Sequence, residues 1–253
     1  MTGARRSEHR GEGRLALSDE VRELVSLASR VLGNAGHGDY IWGHASARDP
    51  HGRGVWMKAS GLGLEEVTTS HVQLLGWDGA ILEGSGKAHV EYPIHTEIMS
   101  ARPDVGGVVH THSPHAVALA AAGQELRPVS HAANFFVPPA VPRFTETAGL
   151  IITSELGKSV AETLGGASAV FLVNHGIVTV GPDLQTATIA TILLESAAQQ
   201  QLLTGQYGGM PSWSLPEESL AKRAHIYHEG ALRQLWAYLV RQLDEAAVAS
   251  EIS

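Results

Sequence analysis

The run ASAVFLVNHGIVTVG, residues 167–181, leaves little freedom for the fold around it. It reads as two apolar strands joined by the tight turn Asn174-His175-Gly176. A connection that short can only join antiparallel strands, because parallel neighbours need a long crossover. Two further strands, within YIWGHASARDP (40–50) and GVWMKASG (54–61), are separated by a Pro-His-Gly turn, and Asp78-Gly79 marks another hairpin inside 65–84. Between these pairs lie segments of helical period. Ser18 reads as an N-cap before Val21, Leu24, Val25, Ala28 and Leu32, with Gly33-Asn34 as the stop. EYPIHTEIMSA (91–101) reads as a helix with Pro93 near its first turn. After the short apolar strand VGGVVHTH (105–112), SPHAVALAAAG (113–123) reads as a helix capped by Ser113 and ended by Gly123. A long helix is predicted over 183–204, ending at Gly205, and another over 216–246. Helices alternating with hairpin-linked strands predict the α/β class: an α/β/α layered single domain with a mostly antiparallel central sheet. The domain is expected over residues 16–253, after a Gly-rich tail at 1–15 expected to be disordered.

Composition narrows the function classes. The 253-residue chain is 43% hydrophobic and carries a formal charge of −8, so no basic footprint for nucleic acid is expected. No apolar stretch is long enough to span a bilayer, and no apolar segment follows the N-terminal arginines as a signal peptide requires. A cytoplasmic enzyme with a small-molecule substrate is the expectation. There is no cysteine, so any metal must be held by His, Asp or Glu.

Fourteen histidines make such a site worth seeking. His110 and His112 lie two apart where an apolar strand runs into a helix cap. Side chains at that spacing share a face, about 6–7 Å apart along the strand, and can converge on one ion. The alternative is a polar pair in a histidine-rich chain. His175, between two apolar strands, needs either hydrogen-bond partners or a metal to offset its desolvation. Asn174 and Gly176 are expected to supply the unusual backbone angles of that corner. Glu91 opens a helix, where the dipole favours a carboxylate; it is a simple helix-start acid, a general acid/base, or a further ligand. His95 shares its face. His115 reads as structural, and His225 and His228 as solvated or interfacial.

These pieces occur in a fixed order: Gly43-x-x-Ser46-x-Arg48, Ser60-Gly61, Glu91-x-x-x-His95, Arg102-Pro103-Asp104-Val105, the His110/His112 pair, and Asn174-His175-Gly176. Their order and spacing, from about residue 18 to 205, resemble the class II aldolase/adducin family. The resemblance implies a nine-stranded, largely antiparallel sheet and a homotetramer of C4 type with active sites between neighbouring subunits. It implies one divalent metal ion per subunit, with zinc favoured and Mn, Fe or Co as alternatives, held by His110, His112 and His175. It makes Glu91 the catalytic acid/base, and Ser60, Gly61 and the loop around His44 the substrate shell. Through C-terminal segments that reach over a neighbour's site in related proteins, Tyr207, Tyr227 and His228 become candidates as well.

Departures from the sugar-phosphate aldolases bear on substrate. His44 stands where those enzymes use Asn, and His89-Val90 where Ser-Ser helps hold phosphate. Ala132 follows His131 where they place a proton-donating Tyr. With the apolar run Ala133–Pro139, these changes look more like the branch acting on carboxylated or aromatic compounds. The expectation is a metal-dependent carbon–carbon lyase, a decarboxylase of a hydroxylated aromatic or oxo/hydroxy carboxylic acid, with His44, His89 and His131 lining the pocket. The alternatives are an aldolase of a sugar or hydroxy-oxo acid, a non-haem iron oxygenase of a phenol, and a metal-free adducin-like scaffold.

Overall fold

The computed structural model describes residues 4–208 and 212–252, with side chains over 16–208 and 212–243. In chain order the helices are α1 (Ala4–Leu32), α2 (Tyr92–Ala101), α3 (Pro114–Ala121), α4 (His131–Asn134), α5 (Ser154–Leu164), α6 (Leu184–Gln206), α7 (Pro216–Ile226) and α8 (Glu229–Ile252). The strands are β1 (His44–Arg48), β2 (Gly54–Lys58), β3 (Val72–Gly76), β4 (Ile81–Glu83), β5 (Gly107–Thr111), β6 (Arg143–Phe144), β7 (Ala169–Leu172) and β8 (Gly176–Gly181). They form one sheet in the order β4-β3-β2-β1-β5-β8-β7-β6. Every pair is antiparallel except β6–β7. The described residues thus hold eight strands, one fewer than the resemblance implied.

Period-2 alternation divides the core between two helical layers. Val55 and Met57 of β2, Val108 of β5, Val170 and Leu172 of β7, and Val178 and Val180 of β8 pack against Ile94 and Ile98 of α2 and Val160 of α5. Trp56 and Val109, one residue out of phase, pack against Val25 and Leu32 of α1 and Leu184 of α6. Ala169, Phe171 and Ile177 meet α3, α4 and the middle of α6. His110 has the phase of Val108, so its ring faces the α2 layer. Residue 157 of α5 is glycine because a Cβ there would stand 2.7 Å from the Pro93 carbonyl oxygen, which brings α5 close onto the start of α2. Tyr92, the first residue of α2, donates its hydroxyl to the Asp78 carbonyl of the β3–β4 hairpin. The beginning of α2 is therefore held from both sides.

Three local expectations need correction. Ser18 is inside α1 and caps nothing, because helix continues N-terminal to it. Separately, of the tail expected over 1–15, residues 1–3 lie outside the described ones, and the backbone from Ala4 is helical. α6 runs through Gly205; Gly208, with φ +69°, is the left-handed residue past its end. The expected single helix over 216–246 is two, divided at Tyr227-His228, where the His228 ring Nδ1 accepts from the Ala231 N–H and starts α8 afresh.

Candidate metal centre

The β1–β5–β8 pairing brings the histidines together. His44 of β1 lies opposite His110 of β5, which lies opposite Val178 of β8. His112 follows two residues beyond His110, and His175 stands in the turn between β7 and β8. The His110 ring centroid is 5.0 Å from that of His112 and 5.0 Å from that of His175, and His112 and His175 are 5.4 Å apart. One nitrogen from each of the three lies within 4.8 Å of the others.

The protons on two of these rings follow from their partners. His110 Nδ1 is 2.9 Å from the Ile177 carbonyl, and His112 Nδ1 is 2.9 Å from Asp39 Oδ2. Neither oxygen can donate when Asp39 is ionised, so each Nδ1 carries the proton and each Nε2 presents a lone pair. His110 Nε2 and His175 Nε2 are buried with no hydrogen-bond partner. Burial, then the neighbouring His175 and His112, pushes His110 well below the usual imidazole range. Burial likewise brings His175 to about 4. Neutral rings with unshared lone pairs, buried and unsatisfied, are what a divalent cation requires and what an empty polar pocket disfavours. The donor set fits such an ion.

Glu91 sits at the N-cap of α2. Its Oε1 accepts from the Ile151 N–H at 2.9 Å, which fixes the carboxylate over the cluster. From there Oε1 is 3.6 Å from His175 Nε2, and Oε2 is 3.8 Å from His110 Nε2 and 3.9 Å from His44 Nε2. Burial raises its pKa against the opposing pull of the Ile151 N–H and His112. A carboxyl group that holds its proton more readily than usual suits general acid/base work.

The other expected residues divide. His44 and His89 join the cluster, with ring centroids 3.9 Å apart, and both are buried. His89 Nδ1 accepts from the Glu91 N–H in a long 3.4 Å contact, which leaves its Nε2 as a donor. His95, fully buried, stands between His44 and Ser46. Ser60 and Gly61 form a turn tied to the loop before His89 by the Ser60 N–H donating to the Lys87 carbonyl. His131 is exposed on α4, its carbonyl accepting from the Tyr227 hydroxyl, and it shares none of the ring contacts of the cluster. His115 binds Glu195 of α6 through its ring and backbone, as a structural residue would.

Two contributors carried no signal in the sequence. Asp39, which orients His112, lies 73 residues away in an irregular loop. Lys58 is fully buried at the end of β2 and donates to the carbonyls of Ile41 and Leu62, joining the loop before His44 to the loop after Gly61. Burial brings its pKa down to about 8. A separate open groove of about 1250 Å3, lined by Phe135, Val141, Tyr227 and Trp236 among others, contains none of these histidines.

The profile of the Class II Aldolase and Adducin N-terminal domain matches residues 23–202. The chain belongs to this family. It is 28% identical over 243 residues to a 3,4-dihydroxyphthalate decarboxylase of Arthrobacter keyseri, covering 89% of this chain and 95% of the relative. It is 30% identical over 216 residues to a 5-deoxy-D-ribulose 1-phosphate aldolase of Bacillus thuringiensis, covering 84% and 99%. Among solved structures, an L-fuculose 1-phosphate aldolase from Glaciozyma antarctica superposes with a TM-score of 0.80 at 24% identity over 92% of each chain, which shows the shared fold. Membership makes this family member a relative of carbon–carbon lyases of two kinds. No helix among the described residues is long and apolar enough to cross a membrane.

Proposed function

We propose that this protein is a metal-dependent lyase that decarboxylates a hydroxylated aromatic acid. The observation that carries the proposal is the buried, neutral pair His44 and His89 beside Glu91, at positions where the resemblance sets the phosphate-holding residues of the sugar-phosphate aldolases. Burial is the chief cause of that neutrality: it pushes His44 well below the usual range and His89 to about 4. Uncharged rings suit a planar acid better than a phosphate dianion. Apolar side chains exposed next along the chain agree: Tyr40, Ile41 and Trp42 before His44, Val90 beside Glu91, and Leu150 and Ile152 around Ile151. The similarity to a 3,4-dihydroxyphthalate decarboxylase supports the same substrate class.

His110, His112 and His175 would hold the ion, with zinc favoured over Mn, Fe or Co. When bound, it would supply Lewis-acid stabilisation of the negative charge that develops as CO2 departs. The chain's own groups do the rest. His89 Nε2–H donates to a substrate carboxylate, and with the ion on His110, His112 and His175 the His44 Nε2 faces a hydroxyl. Glu91, held by Ile151, delivers the proton to the carbon that loses CO2. Ser60 and Gly61 close the rim. His131 lines the pocket across a subunit boundary, within a cytoplasmic homotetramer whose active sites lie between subunits.

The test is CO2 release against O2 uptake on a panel of hydroxy-aromatic acids, with metal-loaded protein. CO2 release without oxygen consumption is expected. Oxygen-dependent turnover would replace the lyase with an oxygenase, and cleavage of sugar phosphates alone would make it an aldolase. Failure to retain any divalent ion would leave only the scaffold.

A further inference from the structure

His44 is the innermost of the clustered histidines, and its hydrogen bonds fix what it offers. Ser46 Oγ, His95 and His44 form a fully buried chain, with His95 Nδ1 2.6 Å from Ser46 Oγ and His95 Nε2 2.6 Å from His44 Nδ1. With the proton on His95 Nδ1, which donates it to Ser46 Oγ, the chain runs toward His44 in one direction. His95 Nε2 is then an acceptor, and His44 Nδ1–H donates to it. That leaves His44 Nε2 with a bare lone pair, buried and without a partner.

This lone pair meets two others. Glu91 Oε2 lies 3.9 Å from His44 Nε2 and 3.8 Å from His110 Nε2. His110 Nε2 is also a bare acceptor, since its Nδ1–H is committed to the Ile177 carbonyl. Ligand atoms of His44, Glu91 and His110 all lie within 4.8 Å of one another. With Glu91 ionised, three acceptors face each other with no hydrogen between them. Such a set is repulsive until a cation enters it.

We propose that His44 is a fourth histidine ligand, giving the ion an inner seat of His44, Glu91 and His110 that overlaps the outer seat of His110, His112 and His175. His110 has a single lone pair at Nε2, so the two seats are alternative positions of one ion. The outer seat is formed by three neutral rings, whereas the inner seat includes a carboxylate that compensates a dication directly. The Ser46–His95 pair is what turns the His44 lone pair toward the seat, and those two are positioning residues. The proposal rests on the reading of this site as a divalent-metal centre.

Zinc binding to the His112→Ala protein tests it, because that change dismantles the outer seat and leaves the inner one intact. Retained zinc is measured by elemental analysis after gel filtration, and long-range 1H–15N spectra of 15N-histidine-labelled protein report each ring nitrogen. We expect His112→Ala to retain one equivalent of zinc, with binding about 10- to 100-fold weaker, the range seen when one support of a site is lost. The Nε2 signals of His44 and His110 should move together on titration, and adding His44→Gln should abolish retention. Should the double variant not fold, the spectra of the single variant still decide. Zinc held by His112→Ala with the His44 signal unmoved would overturn the proposal. So would loss of zinc from His112→Ala while the unaltered protein keeps it. Absence of zinc from the unaltered protein would overturn the metal centre itself.

Discussion

A Cβ at residue 176 would stand 2.7 Å from the Thr111 carbonyl oxygen, 2.9 Å from His110 Cε1 and 3.0 Å from His112 Cδ2. Gly176 was expected to serve backbone angles, but the left-handed residue of that turn is Asn174, with φ +61°. What Gly176 supplies is room for the His110 and His112 rings. Gly176→Ala should therefore weaken metal binding by about 10- to 100-fold, comparable to losing an orienting partner, while far-UV circular dichroism stays unchanged. Titration with a chromophoric zinc indicator checks this, and unaltered affinity would refute the spacing argument. Asp39 acts on the same ring from the other side through its 2.9 Å bond to His112 Nδ1. Glu91 has a separate proposed task. Glu91→Gln keeps the shape and the Ile151 hydrogen bond but cannot exchange a proton, so kcat should fall by about 10²- to 10⁴-fold. Retention of more than a tenth of the activity, measured as CO2 release, would remove Glu91 from the proton transfer.

At the scale of elements, much of the site was legible because its parts are local. The i, i+2 spacing of His110 and His112 survives folding, since β5 and the residue beyond it keep both rings on one face. The short turn at 173–175 sets His175 beside them as soon as β7 and β8 pair. Glu91 was visible as a helix start and is the N-cap of α2. Asp39 and Lys58 were not visible, because each acts through a fold-dependent approach of loops and carries no periodic pattern. The break between α7 and α8 was also hidden. It depends on tertiary anchors, with Arg223 donating to the carbonyls of Asn134 and Pro138, and on a ring bond local to His228. The β1–β2 turn shows a further element-level dependence. Asp49 is buried there and accepts from the backbone N–H groups of His51 and Arg53, the Arg53 guanidinium and Trp56 Nε1. Burial alone would raise its pKa, yet the hydrogen bonds from Arg53 and Trp56 outweigh it and hold the carboxyl down to about 2. A depressed folded-state pKa gives stability that is present above the unfolded value near 4 and is lost as pH falls toward 2. The stability gap between the unaltered protein and Asp49→Asn should be roughly 2 kcal/mol at pH 6 and shrink below pH 4. Urea unfolding at stepped pH reads the gap, and a gap that stays constant down to pH 3 would contradict the assignment.

For the whole molecule, the centre is a liability until it is filled. His44 Nε2, His110 Nε2 and His175 Nε2 are all buried without a partner, and all lie where β1, β5 and β8 meet the start of α2. The sheet and one helical layer therefore converge on unsatisfied ring nitrogens, each of which weakens the folded state. A divalent ion that binds the folded chain and not the unfolded one removes that cost and adds its own binding energy. At a free concentration 100 times Kd the linkage is worth about 2.7 kcal/mol, which in a chain of this length raises Tm by roughly 5–10 °C. Thermal melts at fixed protein concentration, with chelator and then with added zinc or manganese, should show that rise. His110→Ala removes the ligand common to both proposed seats, so its Tm should be lower and should no longer respond to metal. If the unaltered protein melts at the same temperature with chelator and with saturating metal, the orphaned nitrogens have some other purpose and the metal centre is disproved. If both proteins respond alike, the ion binds elsewhere on the molecule.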